Sequence, residues 1–162
     1  MQRSMPRWIS PLAMYLGLAQ VALAAPVIVQ LEWEHLIPAA SHQAVVRGIV
    51  QHGAEVAADA GGAVVRDLDG ETVRLAGFIV PLEFNGQLVT EFLLAPYAGA
   101  CVHVPPPPPN QLVYVLAPKG FRLDSLTDAV VVTGTMKVAS VATELAAAGY
   151  GIVASRVDPH RF

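Results

Sequence analysis

The sequence predicts a mostly β fold: a small, partly open barrel of the oligonucleotide/oligosaccharide-binding type, with one short helix before its last strand. A β-sandwich is the alternative. Three observations predict it. Five segments rich in β-branched and aromatic residues follow one another from Thr72 onward, separated by turn signals. Two of them carry a glycine in mid-segment, Gly77 and Gly134, where a closing sheet needs a bulge or a sharp bend. An alanine-rich stretch, Val141 to Ala148, ends at Gly149 and reads as a short helix with its C-cap.

Taken in order, the chain opens with Arg3 and Arg7, an uncharged run from Trp8 to Ala22, and the small-x-small triplet Ala22-Leu23-Ala24. This is the layout of a cleaved secretory leader over residues 1–24, with Ala25 as the first mature residue. The apolar run is interrupted by Pro11, Gly17 and Gln20 and is short for a spanning helix, so no stable membrane span is expected after cleavage. Residues 25–62 form an N-terminal docking segment and connector. Trp33, Leu36 and Ile37 fall at helical spacing and predict one short turn that begins near Glu32, stops before Pro38 and packs Trp33 on the domain. Residues 39–62 match helix and strand templates about equally, with one helix conceivable near Gln43 to Ala58.

The β domain spans residues 63–162. Asp67-Leu68-Asp69-Gly70 lies between two apolar runs and reads as a hairpin turn. The strands expected after it are Thr72 to Leu82, Val89 to Ala95, Gln111 to Ala117, Ala129 to Val138 and Gly149 to Val157, with Asn85-Gly86 turning the first into the second.

Composition narrows the function. The net charge is −3, and loss of the leader would remove Arg3 and Arg7 and no acid, so the mature chain is more acidic still. That balance lacks the basic footprint of a nucleic-acid binder. A single cysteine, Cys101, forbids an intrachain disulfide, and a lone thiol in an oxidising compartment must be buried, metal-bound or used. No phosphate-binding glycine loop, Gly-x-Ser-x-Gly elbow, Cys-x-x-Cys or His-Glu-x-x-His motif occurs.

One locus is chemically unusual: Cys101-Val102-His103, followed by the five prolines Pro105 to Pro109 and then Asn110-Gln111. With Gly77-Phe78-Ile79-Val80-Pro81-Leu82, Glu91-Phe92-Leu93-Leu94-Ala95-Pro96-Tyr97 and the Trp33-Glu34-His35-Leu36-Ile37-Pro38 entry, it resembles the exported bacterial family known as domain of unknown function 3299. The resemblance runs from about Trp33 to Val157. It implies a periplasmic or otherwise exported protein. Some members resemble products of loci that carry metal-import transporters, notably for zinc, which implies a metal-transport component as partner. It supplies no ligand set.

Read physically, Cys101 and His103 stand two apart and share a face if that segment is extended. Sulfur and nitrogen donors suit zinc or copper. Two ligands do not complete a site, and Glu91, Glu83, His35 and His160 are the candidates for the rest, with Glu91 and Glu83 preferred. The competing reading makes Cys101 a small packed hydrophobe; a third makes it a thiol nucleophile with His103 as base, without any visible orienting group. The proline run is either a rigid strap inside the domain or a presented recognition surface. Trp33 and Phe92 read as core, and His42 and His52 as solvated. Two functions follow: an accessory binding protein, not an enzyme, that holds a soft divalent metal such as zinc, or an interaction and assembly module with a merely packed cysteine.

Overall fold

The computed structural model describes residues 27–39, 62–100, 106–125 and 127–160. The segment expected to be a leader, residues 40–61 with their conceivable helix, His42, His52, Cys101 and His103 lie outside these residues.

Strand β1 (Val29–Leu31) leads into a 3-10 turn over Trp33–Leu36, capped by the Glu32 side chain, as the spacing of Trp33 and Leu36 predicts. The long β2 (Thr72–Asn85) turns through Gly86, at φ +63°, into β3 (Leu88–Ala95). Beyond the prolines come β4 (Val113–Arg122), β5 (Ala129–Lys137), the two-residue strands β6 (Val141–Ala142) and β7 (Ala147–Ala148), and β8 (Tyr150–Pro159). The sheet runs β1-β2-β3-β4-β8-β5, and β5 also pairs with β2. That last pairing closes β2, β3, β4, β8 and β5 into a five-stranded barrel with β1 added in parallel to β2, so the sandwich alternative is excluded.

Closure depends on β2 changing partners. Thr72 to Phe78 pair with β5, and Phe78 to Asn85 pair with β3. The change falls at Phe78, next to Gly77, where a Cβ would stand 2.7 Å from the Ala95 carbonyl oxygen and 2.9 Å from Trp33 Cζ2. Gly134 marks the second expected irregularity: the β5–β8 register shifts between Thr133 and Gly134, and a Cβ there would meet the Val153 carbonyl at 2.3 Å. On the opposite side β4 and β8 pair only through Val113–Leu116 and Tyr150–Val153 before they separate.

Period-2 alternation decides which side chains fill the barrel. On β4, Val113, Val115 and Ala117 are buried while Tyr114 is half-buried and Leu116 exposed. Phe92 of β3 and Leu75 of β2 lie in the same interior cluster, and each aliphatic or Phe side chain so buried contributes about 1.5–3 kcal/mol. Tyr150 is fully buried at one barrel end, where its hydroxyl donates to the Leu36 carbonyl at 2.7 Å and accepts from the Val65 amide at 2.7 Å.

Two local expectations are corrected. Val141 to Ala148 is not a helix. It forms the β6–β7 ladder, Val141 opposite Ala148, around a turn built by Thr143, whose hydroxyl donates to the Ala146 carbonyl and accepts from the amides of Leu145 and Ala146. A threonine side chain competing for backbone groups defeats alanine propensity over so short a stretch. Asp67 to Gly70 does turn the chain, through a 3-10 turn over Arg66–Leu68 and Gly70 at φ +83°, but no hairpin results. The preceding Ala63 to Val65 is not a strand; the turn is instead stitched to the end of β5, Gly70 N donating to the Met136 carbonyl and Val138 N to the Asp69 carboxylate.

Candidate functional site

A second apolar cluster lies on the outside of β2, β3 and β4. Val80, Leu93 and Ala95 form its base, Leu112, Ala100 and Ala148 pack on them, and Leu82, Tyr114 and Ala146 complete its edge. Beside it opens a groove of about 490 Å³ between Pro81-Leu82-Glu83 of β2, Glu91 of β3, Tyr114 of β4 and the Val141 to Leu145 arm of the β6–β7 hairpin.

Two bulges aim the acids into this groove. Pro81 pairs with Phe92, Glu83 with Glu91, and Phe84 with Val89, so Leu82 is the extra residue on β2 and Thr90 the extra residue on β3. Pro81 suits the first bulge because it has no amide hydrogen to leave unpaired. The result sets Glu83 and Glu91 directly opposite one another, although like charges so placed disfavour pairing. Glu91 is half-buried and Glu83 exposed.

Tyr114 is the third member. Its hydroxyl donates a short hydrogen bond to Glu91 Oε2. Burial, that hydrogen bond and the nearby charges of Glu91 and Glu83 push the phenol up to about 12. Glu144, from the hairpin, adds another carboxylate to the lining, and among the described residues no Lys, Arg or His lines the groove. Among the described residues no group of three or more His, Cys, Asp or Glu is arranged to hold a metal. A metal drawing also on a thiolate and an imidazole would have the mixed donor set that zinc accepts.

The sequence candidates thus separate. Glu83 and Glu91 come together. Cys101 and His103 lie outside the described residues, but Ala100, the residue before Cys101, is buried in the cluster that borders the groove. His35 is elsewhere: its Nδ1 accepts from the Glu32 amide in the cap of the first turn. His160 lines a different groove, with Glu32, Trp33 and Arg74. Trp33 Nε1 donates to the Ala76 carbonyl and Phe92 is fully buried, so both are structural, as read from the sequence.

The described part of the proline run behaves as a strap. Pro107 is buried, the Pro109 carbonyl accepts from Gly149 N at 2.6 Å and from Leu112 N, and no peptide bond described is cis. Asn110 Nδ2 donates to the Ala63 carbonyl and Gln111 Nε2 to the Trp33 carbonyl, so both amides tie the N-terminal segments to the barrel. Tyr114 and Glu144 were not singled out in the sequence. Strict alternation within Val113-Tyr114-Val115 carried a signal for the first, since it turns Tyr114 to the outer face, where Glu91 also lies. Glu144 was hidden by the helical reading of its segment.

Fold and groove define a small closed β-barrel protein with an acidic recess on its outer face. The chain belongs to the DUF3299 family, described as proteins of unknown function, whose model matches residues 33–159. It is similar to the crystal structure of a DUF3299 family protein from Pseudomonas aeruginosa PAO1, with 42% identity and a TM-score of 0.67 over 86% of this chain and 99% of that one. The structure of OBody AM3L09 bound to hen egg-white lysozyme matches at 19% identity and a TM-score of 0.38, over 61% of this chain and 90% of that one. No curated protein matches the chain.

Proposed function

We propose that this protein is an exported, periplasmic accessory binding protein that holds a soft divalent metal such as zinc in support of metal uptake. Its ligands would be Cys101, His103, Glu91 and Glu83, and its partner a component of a metal-transport system. The observation that carries this reading is the direct opposition of Glu83 and Glu91 at the wall of a groove that, among the described residues, has no basic lining residue. Opposed carboxylates repel, and a cation between them turns that cost into attraction. The groove also lies where small barrels of this type bind oligonucleotides and oligosaccharides, on the outer face of the second and third strands, between the first-to-second and fourth-to-fifth connections. Here those strands are β3 and β4, and the β6–β7 hairpin lies in the fourth-to-fifth connection. An acidic lining there disfavours nucleic acid. Among the described residues no helix is long and apolar enough to cross a membrane.

Metal analysis of the purified mature protein tests the proposal, with Cys101→Ser, His103→Ala and Glu91→Gln beside it. Stoichiometric zinc in the wild type, lost in the variants, supports it; equal trace metal in all four removes it. The second reading, an interaction module, is favoured by the apolar groove walls, where Leu145 is 45% exposed. It becomes the better account if no metal is found.

A further inference from the structure

We infer that the cleft between the parting ends of β4 and β8 receives an extended acidic segment of a partner protein, which adds to the barrel as a strand. The cleft has a volume of about 310 Å³ and shares no lining residue with the acidic groove. Leu116 opposite Val153 is the last rung between the two strands, and both side chains are exposed. Beyond it, among the described residues, no backbone hydrogen bond joins residues 117–122 to residues 154–159. Bulges on both walls part the strands. On β4, Leu116 pairs with Glu91 and Phe121 with Val89, so residues 117–120 stand opposite Thr90 alone. Pro118 and Gly120, the latter at φ +66°, keep that segment out of a regular ladder. On β8, Arg156 pairs with Thr133 and Ala154 with Gly134, so Ser155 is the extra residue. Bulges at a barrel rim end pairing and re-aim side chains.

Two properties select the occupant. The first is the pair of strand edges, whose backbone donors and acceptors have no strand beside them; an added strand uses that template. The second is positive charge. Lys119 lines the cleft and makes no hydrogen bond or ion pair among the described residues. Arg156 lines it as well. Its Nε donates to Asp158 Oδ1 at 2.7 Å, and the remaining N–H groups of the guanidinium are left for a ligand. Among the described residues no Asp or Glu lines the cleft, although the whole chain has a net charge of −3. An extended segment rich in Glu or Asp meets both demands: its main chain pairs with the strand edges, and its carboxylates reach Lys119 and Arg156. A nucleic acid offers the charge without a strand edge, and a basic segment offers an edge with the wrong charge. Exposed Leu116 and Val153 add apolar contact at the closed end of the cleft.

The test is an amide NMR titration of the purified mature protein with three capped octapeptides: alternating Glu and Val, alternating Lys and Val, and the Glu-Val peptide with its Val amides N-methylated, which cannot pair as a strand. Lys119→Glu and Arg156→Glu are titrated beside the wild type, with Lys119→Gln and Arg156→Gln as milder variants, and thermal unfolding confirms that each is folded. The expected result is saturable binding of the Glu-Val peptide that moves the Gly120, Ser155 and Arg156 amides. The methylated peptide should bind about tenfold more weakly, through lost main-chain hydrogen bonds. Loss of either positive charge should weaken binding about twofold to fivefold. Unmoved amides with the Glu-Val peptide overturn the inference, as does movement confined to Glu83, Glu91 and Tyr114. Equal binding of the Lys-Val peptide removes the role of charge, and equal binding of the methylated peptide removes the added strand; either overturns it. Wild-type affinity in all four variants overturns it too. The metal reading is untouched by each of these results, because none of the cleft residues is among its ligands.

Discussion

Glu83 faces Glu91 across the β2–β3 ladder, held there by a one-residue bulge on each strand. The barrel would be more stable with one of these charges removed, which is the expected signature of a pair kept for binding. Metal-free Glu83→Gln should gain about 0.2–1 kcal/mol in unfolding free energy, the size of a cross-strand pair term. Urea denaturation in the presence of a chelator measures it. A destabilised Glu83→Gln would mean that the carboxylate serves the fold.

Much of this arrangement is legible in the sequence because the strands alternate. The five barrel strands, the Trp33 turn and the bend or bulge at Gly77 and Gly134 follow from local pattern and from what glycine permits. The hairpin under the groove does not. Val141 to Ala148 becomes β6 and β7 because Thr143 organises the turn and Ala146 and Ala148 pack on the outer cluster. The packing partners lie more than thirty positions away, and a window of alanines carries no trace of them. Asp67 to Gly70 misleads for a similar reason: its partner is the end of β5, not the segment before it. Glu83 and Glu91 stand in the sequence as candidate ligands, but their opposition depends on two bulges, and only Pro81 hints at one of these.

Gly77 is a close-approach glycine. A Cβ there would crowd the Ala95 carbonyl oxygen, which belongs to the paired strand and cannot move freely, and also the indole of Trp33. Gly77→Ala should destabilise by about 1–3 kcal/mol, the usual cost of overpacking. With the expected leader removed, Trp33 is the only tryptophan in the chain, so its fluorescence reports the same event. A shifted emission maximum in the folded variant, together with a lower denaturation midpoint, is the expected outcome. Wild-type values for both would refute the close packing.

Tyr150 joins three parts of the chain at one buried hydroxyl, through Leu36 and Val65. Tyr150→Phe leaves the Val65 amide and the Leu36 carbonyl short of a partner, at an expected cost of about 1–3 kcal/mol. Burial raises the Tyr150 phenol above its ordinary value, with the Val65 hydrogen bond opposing part of the shift. Because the folded-state value is the higher one, this contribution is complete below the unfolded value near pH 10 and is lost as pH rises through the folded value. Wild-type stability should therefore fall more steeply above pH 10 than that of Tyr150→Phe. Parallel slopes would show that the phenol ionises equally well in both states.

The Gly149 amide and the Pro109 carbonyl, 2.6 Å apart, fasten the proline strap to the start of β8. A Cβ at residue 149 would lie 2.9 Å from that same carbonyl oxygen and 3.0 Å from Val64 Cγ1, so Gly149→Ala must push the strap away or break the bond. Pro109→Ala keeps the carbonyl and loses only the stiffness of the ring, an unfolded-state effect of about 0.4–1 kcal/mol. The glycine variant should therefore be the more damaging of the two, by about 1–3 kcal/mol of overpacking. It should also speed amide hydrogen exchange at Gly149 and at Leu112, whose amide donates to the same oxygen. If Pro109→Ala instead proves equal or worse, the strap is held by proline stiffness and not by its attachment to β8.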